Sequence, residues 1–285
     1  MKNVLLASLI LISAVLISSC AKERIKGCTD HYALNFNPYA TDNDGSCWVP
    51  VQTKKVLIGD FTATWCGPCG DWGAPAFEKA IELTFGIAEP MAIHNTDEMS
   101  NAITEHFNTY YEISAIPTLK VWETGDGFGS GEEMAGAADQ EMVERPVAET
   151  GAIINLVDKG QKLQVEVSAG AFLPATGDYF VGAYILEDSL SYEQNGTAED
   201  GGYGPFIHNH VLRASANGNW GEQFIYGAAY PGLVKTMIYS IDKNENWNMD
   251  NIYALAVIWR YVKDQQYGEY VYEFVNVVSS RDLIK

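Results

Sequence analysis

At 285 residues the chain has room for two domains of ordinary size. Hydrophobic residues make up 47% and aromatic residues 12%, which excludes a disordered chain. The formal net charge of −19, from 37 acidic against 18 basic side chains, argues against phosphate binding, and no nucleic-acid partner is expected.

The N-terminus supplies an address. Lys2 precedes an apolar run over residues 4–17, long enough for a signal-peptide core and short for a membrane span. The run ends in Ile17-Ser18-Ser19-Cys20, which resembles a bacterial lipobox. The resemblance implies a lipoprotein signal peptide over residues 1–19 and an acylated Cys20 holding the chain on a membrane. Residues 20–50 are then a short charged tether and a loop rich in Asn, Asp, Pro and Gly, bounded by Cys28 and Cys47. Of three possible pairings among the four remaining cysteines, the Cys-x-x-Cys spacing joins Cys66 to Cys69 and leaves Cys28 with Cys47, suiting an oxidising envelope. Closing the loop contributes about 3 kcal/mol in the chain-entropy model. The segment resembles a short module of secreted and surface proteins of Bacteroidetes. Asp42-Asn43-Asp44-Gly45 also has the oxygen-rich look of a calcium loop, so calcium near Asp42 and Asp44 is one alternative. No bidentate Glu follows at the EF-hand spacing, and Asx turns explain the same residues.

Residues 51 to about 150 alternate strand and helix. A strand over 55–61 leads to a helix over about 67–84, then a strand at Met91-Ala92-Ile93 and helical spacing from Ser100 to Tyr110. A strand is predicted from Thr118 to Trp122, a glycine-rich loop over 124–131, and a largely helical stretch over 132–156 that Pro146 breaks in two. Such alternation implies a sheet with helices on its faces. Strands then dominate. Lys162-Leu163-Gln164-Val165-Glu166-Val167 alternates strictly, and residues 179–186, 208–214, 237–241, 253–261 and 270–278 also read as strands, with a hairpin turn at Gln265-Gln266-Tyr267-Gly268. Short strands with Gly- and Asn-rich connections suggest an all-β, immunoglobulin-like antiparallel sandwich.

The pentapeptide Trp65-Cys66-Gly67-Pro68-Cys69 stands at the strand-to-helix junction. With no second Cys-x-x-Cys and no His pair at finger spacing, redox chemistry is a better reading than zinc, and no metal or other cofactor is expected beyond the Cys66–Cys69 disulfide. At a helix N-terminus the free N–H groups favour a Cys66 thiolate, the species that attacks a disulfide. Cys69, one turn on, can resolve the mixed disulfide. With Asp60 six residues earlier and Ile116-Pro117-Thr118 about fifty residues later, residues 51–157 resemble thioredoxin. The resemblance implies an α/β thioredoxin-like domain in which Asp60 takes a proton from Cys69, Pro117 is cis, and Trp65 flanks the sulfur pair. Two features depart from the pattern: Pro75 falls six rather than five residues after the second cysteine, and Gly70 and Gly73 loosen the helix start.

Residues 158–285 resemble the C-terminal region of the Omp28-related outer-membrane lipoproteins of Bacteroidetes. The matching stretches are Val181-Gly182-Ala183-Tyr184-Ile185-Leu186-Glu187-Asp188, His208-Asn209-His210-Val211-Leu212-Arg213, and the run from Asn246-Trp247 to Trp259. On one strand His208 and His210 project from one face, the arrangement of a metal pair, but hydrogen-bonded histidines at a strand end are the expected use. Tyr203, Trp220, Tyr226 and Tyr230 would line a ligand groove if exposed, but core packing is the expected use. Taken together, these features predict an envelope-anchored thiol–disulfide oxidoreductase, which the Omp28 resemblance implies is held on the outer membrane, and whose partners are envelope proteins with disulfides or thiols. The alternative is an outer-membrane binding lipoprotein whose sandwich recognises a ligand and whose thioredoxin-like domain is a scaffold. A tether from Cys20 to Cys28 spans only about 25–30 Å, which would leave an inner-membrane electron donor out of reach of an outer-membrane anchor.

Overall fold

A computed structural model describes residues 24–264 and 268–283. The expected signal peptide over residues 1–19, Cys20 and the residues Gln265, Gln266 and Tyr267 of the expected turn lie outside the described residues. The Cys28–Cys47 disulfide is present, with an S–S distance of 2.08 Å. Inside its loop, Asn43 Oδ1 accepts from the Gly45 N–H and Asp44 Oδ1 from the Ser46 N–H, both at 3.0 Å, so these side chains cap their own turns.

Strand β1 (Val56–Thr62) is buried along its whole length. Its alternation divides two cores. Val56 and Ile58 pack under helices α1 (Ala74–Leu83) and α3 (Gly131–Glu144), and Leu57 and Phe61 face the opposite side. Strand β2 (Ala88–His94) runs parallel to β1, and β3 (Thr118–Val121) antiparallel on its other side. The segment expected to be a loop holds a short strand, β4 (Gly125–Asp126), paired to β3. Helix α2 (Ala102–Tyr110) begins at a capping box between Asn101 and Thr104.

The expected helix over 132–156 is corrected. Helix α3 ends at Glu144, just before Arg145-Pro146, and residues from Thr150 form strand β5 (Thr150–Lys159). Ile153, Ile154 and Leu156 serve here as strand residues, paired along the full length of β6 (Lys162–Ala171). The boundary expected at 157/158 falls inside β5.

The remaining long strands are β7 (Asp178–Glu187), β8 (Leu190–Asn195), β9 (Tyr203–His208), β10 (Val211–Ser215), β11 (Glu222–Ile225), β12 (Val234–Asp242), β13 (Ile252–Lys263) and β14 (Tyr270–Ser279). Among the described residues, nine strands form one sheet in the order β14-β13-β7-β10-β2-β1-β3-β4, with β11 on β7. The join between halves is β10 beside β2, in parallel register at Val211 and Ala92, with the Ala92 N–H donating to the His210 carbonyl at 2.8 Å. The second half is therefore mostly β, with antiparallel sheets β12-β6-β5 and β8-β9 beside the long one. One apolar cluster unites Phe61, Met91 and Phe107 with Tyr184, Leu255 and Trp259, so both halves share a core.

Two further expectations are corrected. The strand expected over 208–214 is interrupted: β9 stops at His208, and His210, at φ 59°, turns the chain through the left-handed region before β10 starts. Of four aromatics expected in the core, only Trp220 packs, stacking on Tyr272 with centroids 4.5 Å apart; Tyr203, Tyr226 and Tyr230 are exposed. Among the described residues no helix is long and apolar enough to cross a membrane.

Candidate active site

Leaving β1, the chain turns at Ala63-Thr64-Trp65, and the Cys66 N–H donates back to the Ala63 carbonyl at 3.2 Å. A disulfide joins Cys66 to Cys69, with an S–S distance of 2.08 Å. Cys69 is fully buried and Cys66 only 4% exposed. The Cys69 N–H points at Cys66 Sγ from 3.1 Å, one of the free amides of a helix start aimed at sulfur. Across from it the Ile116 carbonyl lies 3.6 Å from the same sulfur, and the Ile116–Pro117 peptide is cis. Trp65 is about half exposed, and its indole N–H donates to the Asn95 carbonyl at 3.1 Å.

The displaced proline has a local explanation. Residues Cys69–Gly73 form a π-helical turn, with the Ala74 N–H bonded to the Cys69 carbonyl, before α1 begins. A π turn takes up one extra residue, so Pro75 falls in the first turn of α1, directly after the π turn. The glycines that seemed to loosen this start instead permit close approach. A Cβ on Gly70 would lie 2.1 Å from the Asn195 carbonyl oxygen, and one on Gly73 2.7 Å from the Pro117 ring.

Asp60 projects from β1 to the α1 side and is 3% exposed, with Oδ1 lacking a hydrogen-bond partner. Burial pushes its pKa up to about 7, so it can hold or release a proton near neutrality. On β2, His94 Nδ1 lies 2.6 Å from Asp97 Oδ2. Burial alone would raise the Asp97 pKa, but the His94 hydrogen bond and charge and the Thr64 and Met99 N–H groups hold it below the usual value. His208 and His210 line the same cavity as Asp60. His210 Nδ1 pairs with the Tyr253 hydroxyl at 2.8 Å, whereas His208 Nε2 has no partner. Burial pushes His208 down to about 3, helped by neighbouring His94, and also lowers His210. Among the described residues no group of three or more His, Cys, Asp or Glu side chains is placed to hold a metal ion.

The residues sequence reading missed belong to the β8–β9 hairpin. Gln194 is buried, and its amide donates to the Ala63 and Cys66 carbonyls at 3.1 and 3.0 Å. Asn195 binds the same loop twice, through its backbone N–H to Thr64 O at 2.8 Å and its side chain to Trp65 O at 2.9 Å. The hairpin lies more than a hundred residues from the cysteines in sequence. Gly70, an unusual residue for a helix start that carries chemistry, was the one local signal that another backbone comes close.

The model of the family described as Outer membrane protein Omp28 matches residues 104–276, and that described as Thioredoxin matches residues 46–149. Thioredoxin of Staphylococcus epidermidis is 32% identical over 108 residues, 36% of this chain and 94% of that protein. Thioredoxin of Mycoplasma genitalium is 36% identical over 74 residues, 26% of this chain and 65% of that protein. For two other curated relatives the chain spans a smaller share of their length, 15% and 51%. Among solved structures, HBP35 of Porphyromonas gingivalis has the same fold, with a TM-score of 0.64 at 17% identity, covering 80% of this chain and 75% of that one. With more than half its length matched by one family and a relative of the other covered almost end to end, the chain belongs to the Omp28 outer-membrane protein family and carries a thioredoxin-family domain with a redox-capable disulfide.

Proposed function

We propose that this protein is an envelope-anchored thiol–disulfide oxidoreductase, lipid-linked through Cys20 to the outer membrane, acting on envelope proteins with disulfides or thiols. The observation that carries this reading is the Cys69 N–H aimed at Cys66 Sγ from 3.1 Å, beside the Ile116-Pro117 loop. A donor in that position stabilises a Cys66 thiolate when the pair is reduced.

The reduced protein would act in two steps. Cys66 thiolate attacks a partner disulfide, forming a mixed disulfide and expelling one partner thiolate. Cys69 then loses its proton to Asp60 and attacks Cys66, which restores the Cys66–Cys69 bond and releases the second partner sulfur. Run in reverse, the same steps oxidise a partner dithiol. The Ile116-Pro117 backbone and the exposed face of Trp65 would receive the partner chain. The family relationship supports envelope placement.

A second reading, a binding lipoprotein using the thioredoxin-like domain as a scaffold, draws on the 4% exposure of Cys66. One experiment separates them. In a Cys69→Ala variant the mixed disulfide cannot resolve, so envelope proteins should be trapped on Cys66. The adducts should vanish in Cys66→Ala, Cys69→Ala. An absence of adducts would favour the scaffold.

A further inference from the structure

A cavity of about 220 Å³ lies between α1, β1, β2 and the end of β9. Three of its lining residues carry buried polar atoms with no hydrogen-bond partner: Asp60 Oδ1, His94 Nε2 and His208 Nε2. Their residues are 3%, 1% and 5% exposed. An unpartnered buried polar atom is costly, and three around one cavity point to a shared use.

The register brings them together. In the parallel ladder Asp60 pairs with Ala92 and Thr62 with His94, so Asp60 and His94 share one face of the sheet, one step apart on adjacent strands. His208 arrives from the all-β half, its ring edge-on to His94 with centroids 5.3 Å apart. The tautomer of His94 is also set. The Asp97 carboxylate can only accept, so His94 Nδ1 carries the hydrogen and Nε2 presents a lone pair. Asp97 is itself held by the N–H groups of Thr64 and Met99 and by the Ser100 hydroxyl. The other titratable groups on the cavity are Glu78, exposed on α1, and His210, occupied by Tyr253 and facing Asp188. Gln194 lines it too, with its amide spent on the redox loop. The volume accommodates several waters, enough to bridge groups that do not touch.

We propose that His94, oriented by Asp97, receives the proton that Asp60 takes from Cys69, through water held by His208. This rests on the exchange reading above. In the resolving step the Cys69 thiol gives its proton to the Asp60 carboxylate, and Cys69 Sγ bonds to Cys66 Sγ. The bond from Cys66 to the partner sulfur breaks, and that sulfur leaves with the electron pair and takes a proton from water. Asp60 hands a proton on through water to His94 Nε2 as it takes that of Cys69, so the relay is part of the resolving step, and the imidazolium that forms faces Asp97. From there the proton reaches solvent at the Glu78 side. Burial keeps His208 neutral, so it serves as a hydrogen-bond acceptor for water and not as the proton store.

The test follows the two phases of reaction with dithiobis(nitrobenzoate). Reduced protein releases one thionitrobenzoate when Cys66 attacks and a second when Cys69 resolves, and the first phase serves as internal reference. In His94→Gln the ratio of second- to first-phase rates should fall about tenfold or more below about pH 7 and approach the wild-type ratio at high pH, where hydroxide takes the proton. His208→Leu should do the same, and His208→Gln, which keeps an acceptor, should restore most of the loss. A folded His94→Gln with the wild-type ratio at every pH, or a ratio lowered equally at every pH, overturns the relay. A wild type that shows the first phase and never the second overturns the exchange reading and the relay with it. If His94→Gln does not fold, the His208 pair decides: a folded His208→Leu with the wild-type ratio at every pH overturns the proposal.

Discussion

The backbone N–H of Asn195 donates to the carbonyl of Thr64 at 2.8 Å, fastening the end of β8 to the loop two residues ahead of Cys66. The redox loop is thus braced by a strand of the all-β half, and the two halves meet again where β10 flanks β2. The mostly-β half is a structural part of the disulfide site.

Gln194→Ala tests this brace. It leaves the Ala63 and Cys66 carbonyls without their side-chain donor in a buried place, and should destabilise the protein by about 1–3 kcal/mol. Urea unfolding measures the loss, and alkylation of reduced Cys66 should show altered kinetics in the same variant. An unchanged midpoint would mean that the brace contributes nothing.

Glycines sort by what lies beside them. Gly70→Ala sets a methyl against the Asn195 carbonyl oxygen, a backbone atom that cannot simply swing aside, and should cost about 1–3 kcal/mol. Gly136→Ala, inside α3 with nothing within 4 Å of the added carbon, should instead stabilise by up to about 1 kcal/mol. Denaturation midpoints of the two variants should move in opposite directions.

Asp60 makes stability depend on pH in a definite sense. Folded, it keeps its proton up to about pH 7, whereas in the unfolded chain an Asp releases it near 3.9. Between those values the folded state binds more protons, so its contribution falls as pH rises from about 4 to about 7, by about 4 kcal/mol in all, and is level above. Asp60→Asn should therefore gain stability over wild type across that window while slowing the resolving step. Melting temperatures from about pH 4 to 9 check the first effect and single-turnover kinetics the second.

Removing Cys28 and Cys47 together, each to Ala, should cost about 3 kcal/mol of the small module's stability. Exchange at Cys66 and Cys69 should persist, because the bridge lies outside the redox loop. Limited proteolysis would report the first effect and dithiol turnover the second.

Much of the site is legible because its parts are local or linked by spacing: Trp65 to Cys69 at a strand end, Asp60 in a mostly apolar strand, and Ile116-Pro117-Thr118 before another. The extra residue ahead of Pro75 was visible, but its accommodation in a π turn depends on hydrogen bonding that sequence does not display. Over strand β5 the sequence favours helix because the stretch to Leu156 lacks a strong break after Pro146, and its pairing with β6 is what decides the matter. Gln194, Asn195 and the cavity-facing role of His94 were invisible, since each depends on contacts between segments distant in sequence.

The central claim is tested most directly by turnover. Wild-type protein added in catalytic amount to insulin and dithiothreitol should accelerate reduction of the insulin disulfides well above the uncatalysed rate, and Cys66→Ala should abolish the acceleration. A folded wild-type protein, with its Cys66–Cys69 bond reducible, that leaves the rate at the uncatalysed level would contradict the account.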